Sequence, residues 1–442
     1  MKQFTKRTLA LAVGLTLPAA AFATNGMFMI GFGANEIGMG GAGVAFAQDA
    51  ISSATNPATL KTVGNQFNLD VGFFSPRAQA SLGPITQKSD VGLGGDESKP
   101  WFNDFYVMPA LGYSKQVGRW AYGFNFVPIG GGGSNYTKNL YDLNQNPQHT
   151  PTGNTDTGTL GVSLLIAQFN PTIAYAFNKH NNFGASLVVG MQRFVAYGLG
   201  NFITFTQTQT ANHLTNNGED WSAGLGARVG WTGTFLRHNR LTLGASATSK
   251  VYMTRFHDYS ELFAGNGSFD TPANWIIGAA FKATKRATIA FDIERYLYSG
   301  VPAVANSGPN LPGSSNGLFP VSKSVNALGL PAGLGFGWTD QTVYKLGLNY
   351  DINRKWTARA GWNYGKSPIN EATQIAFNLV APATTENHLT LGGTYRQKKD
   401  LEWDFAYMHA FTYKQYGPTY IGNQGSIQMQ QDSLDVEVNY KF

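Results

Sequence analysis

The side chains able to do chemistry are scattered. His149, His180, His213, His238, His257, His388 and His409 show no H-x-x-x-H or carboxylate spacing, and the chain has no cysteine. Nothing here gathers the ligands of a tight transition-metal site. No G-x-S-x-G elbow occurs, so an enzymatic reading would have to be a barrel hydrolase that assembles Ser and His from separate strands. Gly38-Met39-Gly40-Gly41-Ala42-Gly43 fits G-x-G-x-x-G formally. A dinucleotide site needs a strand before that run and a helix after it, within a βαβ unit, and neither is in sight. The chain therefore reads as a protein without metal, cofactor or catalytic residues.

What stands out instead is apolar chemistry in connections. Residues 199–214 carry Phe202, Ile203 and Phe205 among Thr and Gln, and 252–263 set Phe256, Tyr259, Leu262 and Phe263 at helical spacing. Apolar side chains on loops must pack or bind something. Either the two loops pack on each other, or they frame a hydrophobic capture groove. The connection 298–340, with Leu318, Phe319, Leu328, Leu330, Leu334 and Phe336, reads as a cover for a mouth or the lining of a cavity. A hydrophobic ligand bearing a carboxylate would want Arg or Lys nearby. Lys250, Arg255 and Lys323 are the candidates, and each reads equally well as a solvated loop charge. In Val127-Pro128-Ile129-Gly130-Gly131-Gly132-Gly133 the proline removes a ladder donor and the glycines weaken pairing. The run is either the start of a flexible loop or a kink that opens a wall, with Pro128 and Gly130 at the opening.

The elements that must position these residues follow from the chain's patterning. Residues 1–23 read as a secretory signal peptide: Lys2, Lys6 and Arg7, then a short apolar run, then Ala21-Phe22-Ala23. It is too short for a spanning helix of about 20 apolar residues. Those three cations account for half of the formal charge of +6, which removes most of the case for nucleic-acid binding. Residues 24–64 form a second unit, apolar and Gly-rich, with Glu36 and Asp49 as its only acids. A short helix is expected near 43–51, and Asn56-Pro57-Ala58 marks a turn. Such a segment has no surface for folding alone, so residues 65–442 must contain it.

That container alternates. Leu434, Val436, Val438 and Tyr440 interleave with Asp435, Glu437, Asn439 and Lys441, and 287–294, 356–363 and 401–408 repeat the pattern. One face is apolar and capped by aromatics, and the other is charged or small, as for a strand between lipid and a polar lumen. Short polar connections alternate strictly with long ones. Fourteen strands result, near 66–75, 104–115, 119–128, 159–177, 183–198, 220–236, 241–250, 274–283, 287–297, 341–350, 355–363, 386–395, 401–411 and 432–442. The expected fold is all-β, a fourteen-stranded antiparallel transmembrane β-barrel with its N-terminal segment in the lumen. Asp292, Glu294, Glu402, Asp404, Asp435, Glu437, Lys345 and Arg359 are expected to face that segment or one another.

The run Gly38 to Gly43, the Asp49-Ala50 pair and Asn56-Pro57-Ala58 before the first strand resemble the FadL family of outer-membrane transporters for long-chain fatty acids and other hydrophobic compounds. The resemblance spans essentially the whole mature chain and implies a bacterial outer-membrane location. It implies passive uptake without an external energy source, a hatch plugging the lumen, and lateral exit at a kink in the third strand, here Pro128 and Gly130. It also implies an outer binding groove between the third and fourth loops, which favours Phe202, Phe205, Phe256, Tyr259, Leu262 and Phe263. Met27, Phe28 and Met29 are expected to meet the ligand and shift the hatch, with Asn56, Pro57 and Ala58 as its fixed hinge. Expected partners are the hydrophobic ligand, outer-membrane lipid, and the barrel assembly machinery through the terminal Phe442. Aromatic or aliphatic hydrocarbons remain an alternative substrate. A porin for polar solutes fits less well, because the N-terminal segment is apolar and would block an aqueous path.

Overall fold

The computed structural model describes residues 25–83, 85–89, 105–141, 158–208, 212–308, 327–369, 372–418 and 424–442. The expected signal peptide and Lys323 lie outside them.

Each alternating segment becomes a strand, and fourteen of them pair antiparallel in chain order. They are β1 (Gln66–Leu82), β2 (Tyr106–Val117), β3 (Trp120–Tyr136), β4 (Leu160–Ala176), β5 (Asn181–Tyr197), β6 (Asp220–Phe235) and β7 (Leu241–Thr248). The second half is β8 (Ala273–Lys282), β9 (Ala287–Leu297), β10 (Gln341–Asp351), β11 (Trp356–Gly365), β12 (Asn387–Arg396), β13 (Leu401–Pro418) and β14 (Gln424–Lys441). β14 returns to β1 from Gln66 opposite Lys441 to Leu82 opposite Gly425, which closes the barrel. Closure leaves no open sheet edge for lipid to meet. Short strands Ile85–Lys88 and Tyr252–Met253 pair antiparallel with β1 and β6.

The alternation resolves as expected. Leu434, Tyr440, Ile289, Phe291, Phe405 and Trp362 are exposed on the outside, while Asp435, Glu437, Asp292, Asp404 and Asn363 are buried inside. Where the strands end is another matter. β1, β13 and β14 run seven or eight residues beyond the expected 75, 411 and 432 at their outer ends. The apolar alternation stops at the edge of the lipid band, but backbone pairing does not need it. Ser81 and Ser426, and Gln79 and Gln428, bond across the extension. Likewise β3 does not end at Pro128 but continues to Tyr136.

The N-terminal segment is packed against the inner wall. Its helix is Gly33–Ile37, followed by 3-10 turns at Ile51–Ala54 and Pro57–Lys61; the helix expected near 43–51 does not form. The reason is local. The Gly43 and Val44 amides donate to Asp292 Oδ2 at 2.8 and 2.9 Å. Asp49 Oδ1 then accepts from the Ser52 amide at 2.7 Å, which starts the turn only at Ile51. The Gly38 to Gly43 run serves close approach. Gly41 has φ +80°, and a Cβ there would overlap the Ile30 carbonyl oxygen.

Candidate functional site

The wall holds this segment through the charges that alternation turned inward. Glu437 Oε2 accepts from the Ala34 amide at 2.9 Å. Lys345 Nζ donates to the Ile30 carbonyl at 2.9 Å and pairs with Glu294 at 2.7 Å. Arg359 donates to Gln48 at 2.7 Å and pairs with Asp404 at 3.5 Å. Glu402, expected among them, instead sits at the short-turn end, paired with Lys441 at 2.7 Å and Arg396 at 3.4 Å. Asn56 is fully buried. Its Nδ2 donates to the Val44 and Trp231 carbonyls at 2.7 and 3.0 Å, and its Oδ1 caps Ala58 at 3.0 Å. Asn56, Pro57 and Ala58 are thereby tied to β6.

Among the described residues, an outer and an inner cavity follow one another along the lumen. The outer one encloses about 680 Å³ of space, part of it open to solvent, and among the described residues no charged side chain lines it. Phe202, Leu262, Phe263, Phe194, Phe336 and Trp338 are among its walls, and Met27 closes its inner end. The inner one, about 530 Å³, begins at Phe28 and Met29 and carries Glu36, Arg228, Glu294 and Lys345. Residues 27–29 are thus the partition between an apolar and a charged chamber.

The partition is built like a strand. The Met29 amide donates to the Ile129 carbonyl and the Gly131 amide to the Met27 carbonyl, both at 3.0 Å. β3 can offer these groups because it bulges. Pro128 pairs with Ala167 and Gly130 with Ile166, so Ile129 is the extra residue. Gly130 adopts φ +149°, and a Cβ would collide with the Met27 carbonyl. Tyr298 Oη finishes the latch, donating to the Asn25 carbonyl at 2.8 Å and accepting from the Met27 amide at 3.2 Å. The Phe28 ring stacks on Tyr296 at 4.3 Å.

Beside the bulge the wall has a seam. β2 and β3 pair from Val117 opposite Trp120 to Leu111 opposite Phe126, and the pairing stops there. Continuing the same register would set Pro109 opposite Pro128. Neither has an N–H to donate, so this ladder step lacks both donors. Among the described residues, Val127 onward pairs with β4 on one edge; on the other, Ile129 and Gly131 bond to Met29 and Met27, and the Asn135 amide donates to Ser89 Oγ.

The expected loop residues divide into two groups. Phe202, Leu262 and Phe263 line the outer cavity, whereas Phe205, Phe256 and Tyr259 do not. Phe256 and Tyr259 are fully buried behind it. Tyr259 and Phe263 each meet Phe194 edge-on at 4.7 Å, and Tyr259 Oη donates to the Gly218 carbonyl at 2.5 Å. Residues 252–263 are not a helix, and these contacts place them. Lys250 pairs with Asp270 at 3.0 Å, and Arg255 is exposed. Neither lines the outer or the inner cavity. Sequence reasoning missed Tyr296, Tyr298, Arg228, Trp338 and Phe377. Of these only Phe377 had a signal, in the apolar run Phe377-Asn378-Leu379-Val380.

A closed barrel with a latched internal segment defines an outer-membrane channel class, and the comparisons specify which. Residues 11–441 match the family described as outer membrane protein transport protein (OMPP1/FadL/TodX), and the chain belongs to that family of outer-membrane transporters. Among solved structures, the Pseudomonas putida toluene transporter TodX is 19% identical, with 95% of this chain and 100% of that chain covered and a TM-score of 0.67. The Ralstonia pickettii toluene transporter TbuX is 19% identical, over 93% and 99%, at 0.63. A Pseudomonas aeruginosa FadL homologue is 14% identical, over 94% and 100%, at 0.66. No curated protein matches.

Proposed function

We propose that the chain carries hydrophobic small molecules passively across the outer membrane through two chambers in series. The outer apolar cavity captures the ligand with Phe202, Leu262 and Phe263. Residues 24–64 act as a hatch held at Asn56, Pro57 and Ala58, and its N-terminal end, Met27, Phe28 and Met29, is the gate. The observation that carries this reading is that the gate separates the chambers and rests on the β3 bulge. A ligand that fits better when 27–29 are displaced would shift the population toward the open form. The ligand then leaves sideways at the seam marked by Pro128 and Gly130.

The substrate reading is a hydrophobic molecule with one acidic group, as in long-chain fatty acids. Arg228 supports it: the side chain is buried in the inner chamber and its Nη1 has no acceptor among the described residues. A buried guanidinium N–H without an acceptor is costly even with Glu294 and Glu36 in the same chamber, and a ligand carboxylate would supply the acceptor. Uncharged hydrocarbons are the second reading, favoured by the charge-free lining of the outer cavity.

Vesicles containing the protein should take up a long-chain fatty acid and give no steady open-channel current in planar bilayers. Deleting residues 24–30 should abolish the specific uptake while the barrel still inserts. A steady porin-like current in the full chain would overturn this reading. Uptake of toluene without uptake of the acid would leave the route and replace the substrate.

A further inference from the structure

The barrel is electrically lopsided. Residues 115–119, 177–181, 236–240, 282–286, 351–355, 396–402 and 441, all at the short-turn end, hold fourteen Lys and Arg against three Asp and Glu. The long connections at the other end, 83–105, 137–159, 198–219, 249–272, 298–340, 366–386 and 419–423, carry seven against thirteen. Solubility alone would not sort charge by end. Of the three rim carboxylates, Asp351 and Glu402 are shared by Arg396 and Lys441. The remaining rim cations form no ion pair among the described residues.

These cations are placed at a definite depth. The same end carries exposed rings, among them Trp120, Tyr350, Trp356, Tyr440 and Phe442. Such a girdle sits at the headgroup level of a bilayer. Lys115 Nζ lies 5.3 Å from the Phe442 ring centroid, and the Arg119 and Arg240 guanidinium groups lie 4.9 and 5.0 Å from Tyr175 and Phe281. Stacked on girdle rings, these charges are held beside the bilayer rather than projected into water. In outer-membrane barrels the short turns face the periplasm.

We propose that this rim is a binding surface for anionic phospholipid headgroups of the periplasmic leaflet. The complement is a phosphate without a compensating ammonium, as in phosphatidylglycerol, and it meets the cations from the side. The lipids form a charged annulus around the short-turn end, which fixes the depth and tilt of the barrel.

The test is lipid selectivity of the full chain in phosphatidylcholine vesicles, read by electron paramagnetic resonance with spin-labelled phosphatidylglycerol or phosphatidylcholine. The motionally restricted fraction should favour phosphatidylglycerol at least about threefold at low salt. The preference should fall toward parity at about 1 M NaCl, where the screening length is about 3 Å. A variant with Lys179→Gln, Lys285→Gln, Lys355→Gln, Lys398→Gln and Lys399→Gln changes exposed side chains only and should lose most of the preference while keeping its heat-modifiable mobility. Equal association of both lipids with the unaltered chain would overturn the proposal. So would a preference that survives the fivefold substitution or 1 M salt. Binding of a soluble polyglutamate without lipid selectivity would make the rim a protein-docking surface instead.

Discussion

Phe202 and Phe263 differ from Phe256 by one shell, and that shell separates affinity from stability. The first two face the outer cavity, while Phe256 lies behind it, 5.8 Å from the Phe263 ring. Burying a ring against a ligand contributes roughly 1.5–3 kcal/mol. Phe202→Ser with Phe263→Ser should therefore weaken hydrophobic ligand binding at least about tenfold. Phe256→Ala should instead destabilise the fold by about 3–5 kcal/mol and leave the affinity of the folded fraction close to the parent's. Ligand titration and thermal gel-shift on the same preparations separate the two; equal affinity in the double variant would move the capture site elsewhere. Glu36 provides a second test at this scale. Burial pushes its carboxyl up to about 8, partly opposed by Lys345 and the Thr55 hydroxyl. Its folded value exceeds the ordinary 4.5, so the folded state holds the proton more tightly. The stabilisation is full below 4.5 and is lost as pH rises toward 8. Hydrogen-exchange protection of residues 33–55, corrected for the intrinsic rise of exchange with pH, should fall between about pH 4.5 and 8, and Glu36→Gln should flatten that profile. A profile equally steep in the variant would assign the pH dependence to another group.

At the scale of elements, β3 and the N-terminal segment share one ladder. The bulge at Ile129 turns backbone groups toward 27–29 on the edge that faces β2, where Pro109 and Pro128 offer no N–H for continued β2–β3 pairing. The proposed gate and the proposed exit seam therefore share the same six residues. Gly130→Trp would displace Met27 from its place on the bulge as well as fill the seam. Uptake should slow while ligand binding in the outer cavity persists, measured as vesicle flux against equilibrium titration. Normal flux in that variant would put the exit at another strand or at the periplasmic end. A cross-link from Asn25 to the wall separates the two roles, because it locks the gate without touching the seam.

For the whole molecule, closure rests on β14 meeting β1, and the last residue sits at that join. The Phe442 amide donates to the Asn65 carbonyl at 3.2 Å, and its ring stacks near Tyr113 at 6.0 Å on the lipid-facing girdle. Deleting Phe442 should lower the heat-modifiable, folded population in the outer membrane, as expected if assembly machinery reads the terminal strand. An undiminished folding yield would show that the join forms without it.

The amino-acid sequence by itself determined the wall. Period-two alternation is a local property, so Leu434 to Lys441 declared both faces, and strict alternation of short and long connections declared the count. It also declared that 24–64 must be enclosed, since seven glycines and two acids in 24–60 cannot make an independent core. Strand ends were less legible, because backbone pairing continues past the lipid band where side-chain patterning has no reason to. The tertiary structure alone decided the site. Met27 meets Gly131 across about a hundred residues, and Tyr298 meets Met27 across 271. Pro109 comes into line with Pro128 only when the β2–β3 register is continued past its last pair, Leu111 with Phe126. Phe202 and Phe205 are near neighbours in sequence, yet only one lines the cavity. Arg228 is an ordinary inward-facing strand residue until folding leaves its Nη1 without an acceptor in the inner chamber. Such features depend on which distant backbone groups meet, and a barrel sets that by closing, so no window of the sequence can contain it.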